Sequence, residues 1–263
     1  MESISDTNIH IFSDENLASL VPIFEKSIVR SSFISFDTEF TGLPLYSFSS
    51  DIQSKYASLR KCVDEYSLLQ IGVSLFMSDD LKVIQFEIPL SPIGGFKYMD
   101  ACRKFHEKTQ LDVPKILKFG CVHKKFDYNS PVSQLVQSLI SSKKLLVGHN
   151  SFIDLLYLYH HFIKPLPEDA NDLQSLWTFP TVDTKYLARI YGHNPALTLR
   201  DLVKLHYPEM ISKEEWHNAL FDSYVTGKLY LSLTKSLGEG NECVFAFTKG
   251  YWDLKNNVYK SDI

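Results

Sequence analysis

Three groups of acidic residues stand where their spacing could support chemistry. The first is Asp37-Thr38-Glu39, at the end of the apolar run FISFD at 33–37. A strand has a side-chain period of two, so residues 37 and 39 project from one face. Two carboxylates on one face repel each other unless a cation lies between them, and a divalent ion with hard oxygen ligands meets that need. Two solvent-facing acids on an edge strand would carry the same letters. The second is Asp154 in GHNSFID, where a strand reads into a helix. Its neighbours Phe152, Ile153, Leu155 and Leu156 are apolar, so an ionised Asp154 must be paired, hydrogen-bonded or metal-bound. A first-turn aspartate stabilised by the helix dipole is the alternative. The third is the pair His217 and Asp222 in HNALFDSYVTG. Five residues apart on a regular helix, they point about 140° away from each other. They share a site only if His217 lies in a loop or an irregular first turn; otherwise they read as a surface histidine and a satisfied core aspartate.

The elements that must position these groups are legible in outline. Apolar spacing predicts a helix over 14–31, with Ser13 or Asp14 as N-cap and Pro22 as a kink or delay. A short strand follows at 33–37, then an amphipathic helix over 50–65. Residues 66–76 and 81–90 read as two strands joined by a polar turn at 77–80. The segment 91–131 scatters Gly, Pro, Lys and Cys among short apolar pieces and gives no clear period. A buried strand is expected at 144–149, a helix over 150–163, a loop at 165–172 and a short strand at 181–183. Helices follow through Ile190, over 197–207 and over 214–237, and the tail CVFAFT is β-prone. There is no internal repeat, low-complexity tract or Ser/Gly-rich linker. The order implies an α/β domain with a central mixed sheet flanked by helices.

Composition narrows the class. A chain of 263 residues, 44% hydrophobic, has ample apolar material for one core. Lys plus Arg number 27 against 31 Asp plus Glu, a formal charge of −4. That balance argues against a sequence-independent DNA-coating protein, although a local basic groove is compatible with it. No uninterrupted apolar run reaches the roughly eighteen residues of a membrane span. The polar, acidic start reads as neither a secretory signal nor a transit peptide, so the expected location is intracellular, in cytoplasm, nucleus or both. Cys62, Cys102, Cys121 and Cys243 form no CxxC pair and read as reduced, mostly buried thiols. The stretch YLYHH at 157–161 could suggest a metal or base-binding cluster, with Tyr157 and His161 on one helical face, but packing explains it more simply.

The ordered set is more specific than any member. An acidic pair on a first strand, an aspartate at a later strand–helix junction and His-x4-Asp on a late helix resemble the DEDDh exonucleases. Asn218 stands where the tyrosine-type branch carries its base. FISFDTEFTGL, LLVGHNSFIDLLYLYHHFIKPLP, TVDTKYLA and HNALFDSYVTG resemble the poly(A)-specific ribonuclease (PARN) group of deadenylases and small-RNA trimmers, over roughly residues 32–237. The resemblance implies an RNase H-like exonuclease fold and Mg2+-dependent 3′→5′ shortening of single-stranded RNA 3′ ends, poly(A) tails above all, releasing 5′-nucleotides. It implies two Mg2+ ions, replaceable by Mn2+, held by Asp37, Glu39, Asp154 and Asp222, with His217 as general base. Phe40, Leu43, Asn150, Ile153 and Lys185 match its nucleotide-contacting positions; Phe40, Leu43 and Ile153 would serve equally as core residues, and Lys185 as an exposed helix lysine. The group's accessory RNA-binding domains are not expected to fit within 1–263. The expectation is therefore a single nuclease domain over 1–263, core about 14–248, with a partner protein supplying RNA affinity; the group also implies a homodimer. Trimming of small or non-coding RNAs, a DNA 3′ exonuclease and a catalytically silent RNA-binding scaffold are the alternatives.

Overall fold

The computed structural model describes residues 8–44, 51–78, 82–176, 179–210, 216–234, 244–247, 250–253 and 258–261. The strands in chain order are β1 (Asn8–Ile11), β2 (Ser31–Phe40), β3 (Leu68–Met77), β4 (Val83–Pro92), β5 (Cys121–His123), β6 (Leu145–Gly148), β7 (Thr181–Asp183), β8 (Val244–Phe247), β9 (Gly250–Asp253) and β10 (Val258–Ser261). The helices are α1 (Leu17–Arg30), α2 (Ile52–Glu65), α3 (Asp100–Thr109), α4 (Val113–Phe119), α5 (Pro131–Ser141), α6 (Phe152–Phe162), α7 (Thr184–Ile190), α8 (Leu199–His206) and α9 (Ala219–Thr234). One mixed sheet runs β1-β4-β3-β2-β6-β7-β8-β9-β10, with β5 beside β4. β2 is antiparallel to β3 and parallel to β6, so it lies where the meander meets the parallel half.

The two faces of β2 explain its sequence. Ile34 and Phe36 join the large core beneath α1, α2, α5 and α6. Phe33 packs against Phe76, Tyr224 and Tyr230 on the opposite face, beneath α9. A strand covered on both faces has no polar face to show water, which is why β3 (LLQIGVSLFM) is buried along its whole length.

α9 approaches the sheet closely because small residues let it. Gly72 lies opposite Asp37 in the β2–β3 ladder, and a Cβ built on it would stand 2.0 Å from the Ala219 carbonyl oxygen at the start of α9. Gly227, two turns along, faces Phe76 and Ser35 as tightly. Between these glycines run polar contacts: Ser35 Oγ donates to the Ser223 carbonyl at 2.7 Å, and the Ser74 and Ser223 hydroxyls lie 2.8 Å apart.

Several boundaries differ from the sequence reading. α1 begins at Leu17 with Asn16 as its N-cap, because Asp14 is drawn away to accept the Val122 N–H at 3.0 Å. Pro22 sits inside α1 without ending it. β2 extends well beyond 33–37 at both ends, and 91–131 resolves into α3, α4, β5 and the start of α5. Cys243, residues 79–80 of the expected turn and both ends of the expected 214–237 helix lie outside the described residues. Cys62, Cys102 and Cys121 are free and buried.

Replacing Gly72 by alanine is expected to lower the unfolding free energy by about 1–3 kcal/mol, the usual cost of overpacking a closed interface. Denaturant unfolding measures this; an unchanged midpoint would show that α9 tolerates a shift away from the sheet.

Candidate active site

Asp37 and Glu39 lie two residues apart near the end of β2, on the face covered by the start of α9. Oxygens of Asp37, Glu39 and Asp222 come within 4.8 Å of one another. Asp222 reaches them because α9 is capped at a precise height. The Asn218 side-chain oxygen accepts the Leu220 N–H at 3.0 Å, and Gln70, opposite Glu39 in the ladder, accepts the Ala219 N–H at 3.0 Å. Helix α9 therefore begins at Ala219, and His217 lies before it in the left-handed region at φ 66°. That irregular turn is what the His-x4-Asp spacing requires, and the His217 N–H donates to Asp222 Oδ2 at 3.2 Å.

Asp154 enters from the other side of the sheet. It stands in the first turn of α6, and its Oδ1 accepts the Thr38 hydroxyl at 2.6 Å. Thr38 projects from the face opposite Asp37 and Glu39. The Asp154 oxygens fall outside the 4.8 Å set, yet among the carboxylates Asp154 raises the Asp37 pKa most.

Burial and mutual repulsion disfavour the charged carboxylates. Asp37 is pushed well above the usual carboxylate range by burial, then by Asp154, Asp222 and Glu39. Burial lifts Asp154 to about 7, against the opposing Thr38 hydrogen bond. Asp222 rises to about 8, through burial and then Glu39. Burial also raises Glu39, with His106 opposing. Asp222 Oδ1 is buried with no hydrogen-bond partner. Clustered oxygen donors, an orphaned carboxylate oxygen and repelling charges together fit a divalent cation. His217 carries a lowered pKa, through partial burial and then the charges of Arg200 and Lys108, which favours its free-base form.

The expected nucleotide-contacting residues differ in their surroundings. Phe40, half-buried, stacks on Tyr157 with ring centroids 4.9 Å apart, so one of its faces is occupied. Leu43 is 48% exposed, whereas Ile153 is buried in the main core. Asn150 is exposed at φ 55° and its N–H donates to Asp183 at 3.0 Å. Lys185 is half-buried rather than exposed, and its own N–H donates to the same carboxylate at 2.8 Å. In YLYHH every side chain is buried; Tyr157 donates to the Gly42 carbonyl at 3.1 Å and His161 Nε2 bonds the Val63 carbonyl at 3.0 Å, as packing roles require.

Four residues of this arrangement escaped the sequence reading. Thr38 lay hidden between the two acids it separates. Gln70 is a polar residue in an apolar strand, which was a usable signal. Asp183 stands in a strand too short to show a pattern; buried and raised to about 6 by that burial, it accepts backbone N–H groups from Asn150, Ser151, Lys185 and Tyr186, fixing the loop before α6. His106 sits in the segment without a period and bonds Glu39 from α3.

A carboxylate cluster at the end of a central strand, flanked by helix N-termini bearing further acids, sits here in an RNase H-like fold of mixed sheet and flanking helices. The chain belongs to the CAF1 ribonuclease family, whose signature matches residues 13–126 and 122–230. It is 29% identical over 128 residues to zebrafish (Danio rerio) poly(A)-specific ribonuclease PARN, covering 40% of this chain and 19% of that protein. It is 30% identical over 128 residues to the Bombyx mori pre-piRNA 3′-exonuclease trimmer, covering 38% and 24%. These matches therefore span about a fifth to a quarter of the relatives' length. The fold is similar to that of S. pombe Pop2p in its Mg2+- and Mn2+-bound form, with TM-score 0.68 and 20% identity, covering 84% of this chain and 90% of that one.

A raised carboxylate has a predictable effect on stability. Between the ordinary aspartate value of 3.8 and about 8, folded protein holds a proton at Asp222 that the unfolded chain has released. Stability from that proton is full at low pH and lost as pH rises through about 8. Asp222→Asn should therefore melt above wild type in chelator at pH 8, by about 2–4 °C per kcal/mol relieved, with the gap shrinking toward pH 5. Thermal scans at both pH values decide; a variant melting below wild type at pH 8 would contradict the repulsion.

Proposed function

We propose that this chain is a metal-dependent 3′→5′ exoribonuclease acting on single-stranded RNA 3′ ends, with poly(A) as its first substrate and 5′-nucleotides as products. The observation that carries the reading is the convergence of Asp37, Glu39 and Asp222 oxygens within 4.8 Å, beside His217, in a chain of the CAF1 ribonuclease family. Asp37, Glu39, Asp154 and Asp222 would hold two Mg2+ or Mn2+ ions. When bound, these ions lower the pKa of the attacking water and offset charge on the phosphate and the leaving 3′ oxygen.

The chain's own groups do the rest. His217, kept in its free-base form, accepts the proton of the attacking water. Its backbone N–H holds Asp222, so base and ligand are set by one turn. Thr38 orients Asp154. The free face of Phe40 and exposed Leu43 offer walls for the terminal base, and Lys185 offers a cation for its phosphate. Selection of RNA over DNA would come from hydrogen bonds to the 2′ hydroxyl. Residues from about 14 to 248 form one nuclease domain in this reading, which works inside the cell, as a homodimer or with a partner protein adding RNA affinity. Likeness to the Bombyx mori trimmer favours a second substrate, small-RNA 3′ ends.

Purified protein with Mg2+ should shorten a 5′-labelled oligo(A) stepwise, and Asp37→Ala should abolish this. Matched DNA and a 2′-O-methyl 3′ end should react slowly. Full shortening by Asp37→Ala, or in excess chelator, would refute the mechanism; faster trimming of a small-RNA 3′ end than of oligo(A) would replace the substrate.

A further inference from the structure

Helix α3 reaches the site from a part of the chain with no acidic motif. It is moored just beyond the end of β2, where the Met99 N–H donates to the Thr41 carbonyl at 2.8 Å. Cys102 and His106, four residues apart, form its buried face. On that face His106, only 3% exposed, places Nε2 3.2 Å from Glu39 Oε2, and its Nδ1 meets the Tyr98 hydroxyl. The adjoining residue Phe105 stands edge-on to the His217 ring, with centroids 4.7 Å apart and planes at 76°. One helix thus touches both an acidic ligand and the base.

We infer that His106 is a positioning residue, which orients the Glu39 carboxylate for metal binding through its Nε2–H. The partners set the tautomer. A carboxylate only accepts, so the proton lies on Nε2, and Nδ1 then accepts from the Tyr98 O–H. The donor occupies Glu39 Oε2 and turns the carboxylate, leaving the other oxygen for a cation. Without it, Glu39 would be a buried carboxylate free to rotate beside Asp37 and Asp222, and its repulsion from them would favour turning away. Hydrogen bonds to ligating carboxylates commonly change metal affinity by about 10–100-fold. Phe105 adds a steric stop for the imidazole of His217, so α3 limits the motion of two site groups from one scaffold.

This role rests on the proposed metal-binding function of Glu39, and its test reads metal uptake apart from RNA shortening. Mn2+ affinity by calorimetry, kcat and KM on oligo(A), and the melting temperature are measured for wild type, His106→Ala, His106→Gln and Tyr98→Phe. His106→Ala should weaken Mn2+ binding about 10–100-fold, with kcat falling in step and KM nearly unchanged. His106→Gln, whose amide N–H can replace the donor, should recover most of the affinity, and Tyr98→Phe should show a smaller loss. Wild-type Mn2+ affinity in His106→Ala, or equal losses in the Ala and Gln variants, would overturn the role and leave His106 as packing. Should His106→Ala fail to fold, Tyr98→Phe decides: weakened binding supports the relay and unchanged binding overturns it. A wild type that takes up no Mn2+ overturns both readings. A wild type that binds Mn2+ but spares RNA removes only the substrate.

Discussion

The site is built around the repulsion among the carboxylates at the end of β2. Charges held a few ångströms apart in a partly desolvated pocket interact far more strongly than in water. Left to themselves, the acids would move apart or take up protons, as their raised pKa values record. The surrounding structure forbids the first response. Gly72 lets α9 press down beside Asp37, Gln70 and Asn218 set the height of its first turn, and the serines of β2, β3 and α9 keep it from sliding. Thr38 holds Asp154 from the far face. In the proposed function such a cage of repelling donors would be a preorganised cation site, because the cost of bringing the oxygens together is met on folding rather than on binding.

The two sides of the site differ in construction. Toward α6, Asp183 gathers backbone N–H groups from two segments and so shapes the loop carrying Asn150 and the turn carrying Lys185. Toward α3, side chains do the work, with His106 against Glu39 and Phe105 against His217. Phe40 lies against Tyr157 of α6 and Lys185 stands in the first turn of α7, groups suited to a base and a phosphate. A chain with net charge −4 gains little from general attraction to RNA, so in the proposed function local contacts of this kind would supply recognition.

What could be read from the sequence followed from local periodicity. Period two placed Asp37 and Glu39 together, and period 3.6 showed that His217 and Asp222 could meet only through an irregular turn, which the φ of His217 supplies. Apolar, β-prone runs bounded by polar turns revealed β2, β3 and β4, and a buried run revealed β6. The strand β1 and the helices within 91–131 were not legible, because short elements carry too few residues to show a period. His106 was invisible for a different reason: its partner lies 67 residues away, and a lone histidine in an unpatterned segment has no spacing to betray it. The start of α1 was misplaced because Asp14, a good cap by type, bonds Val122 across the fold instead.

The central claim is that the four carboxylates form a cation site. Calorimetric titration of the chelator-stripped protein with Mn2+ tests it most directly, comparing wild type with Asp37→Ala at neutral pH. Saturable binding to wild type that is lost in Asp37→Ala is the predicted result. Identical titrations of the two proteins, or no binding to wild type, would contradict it.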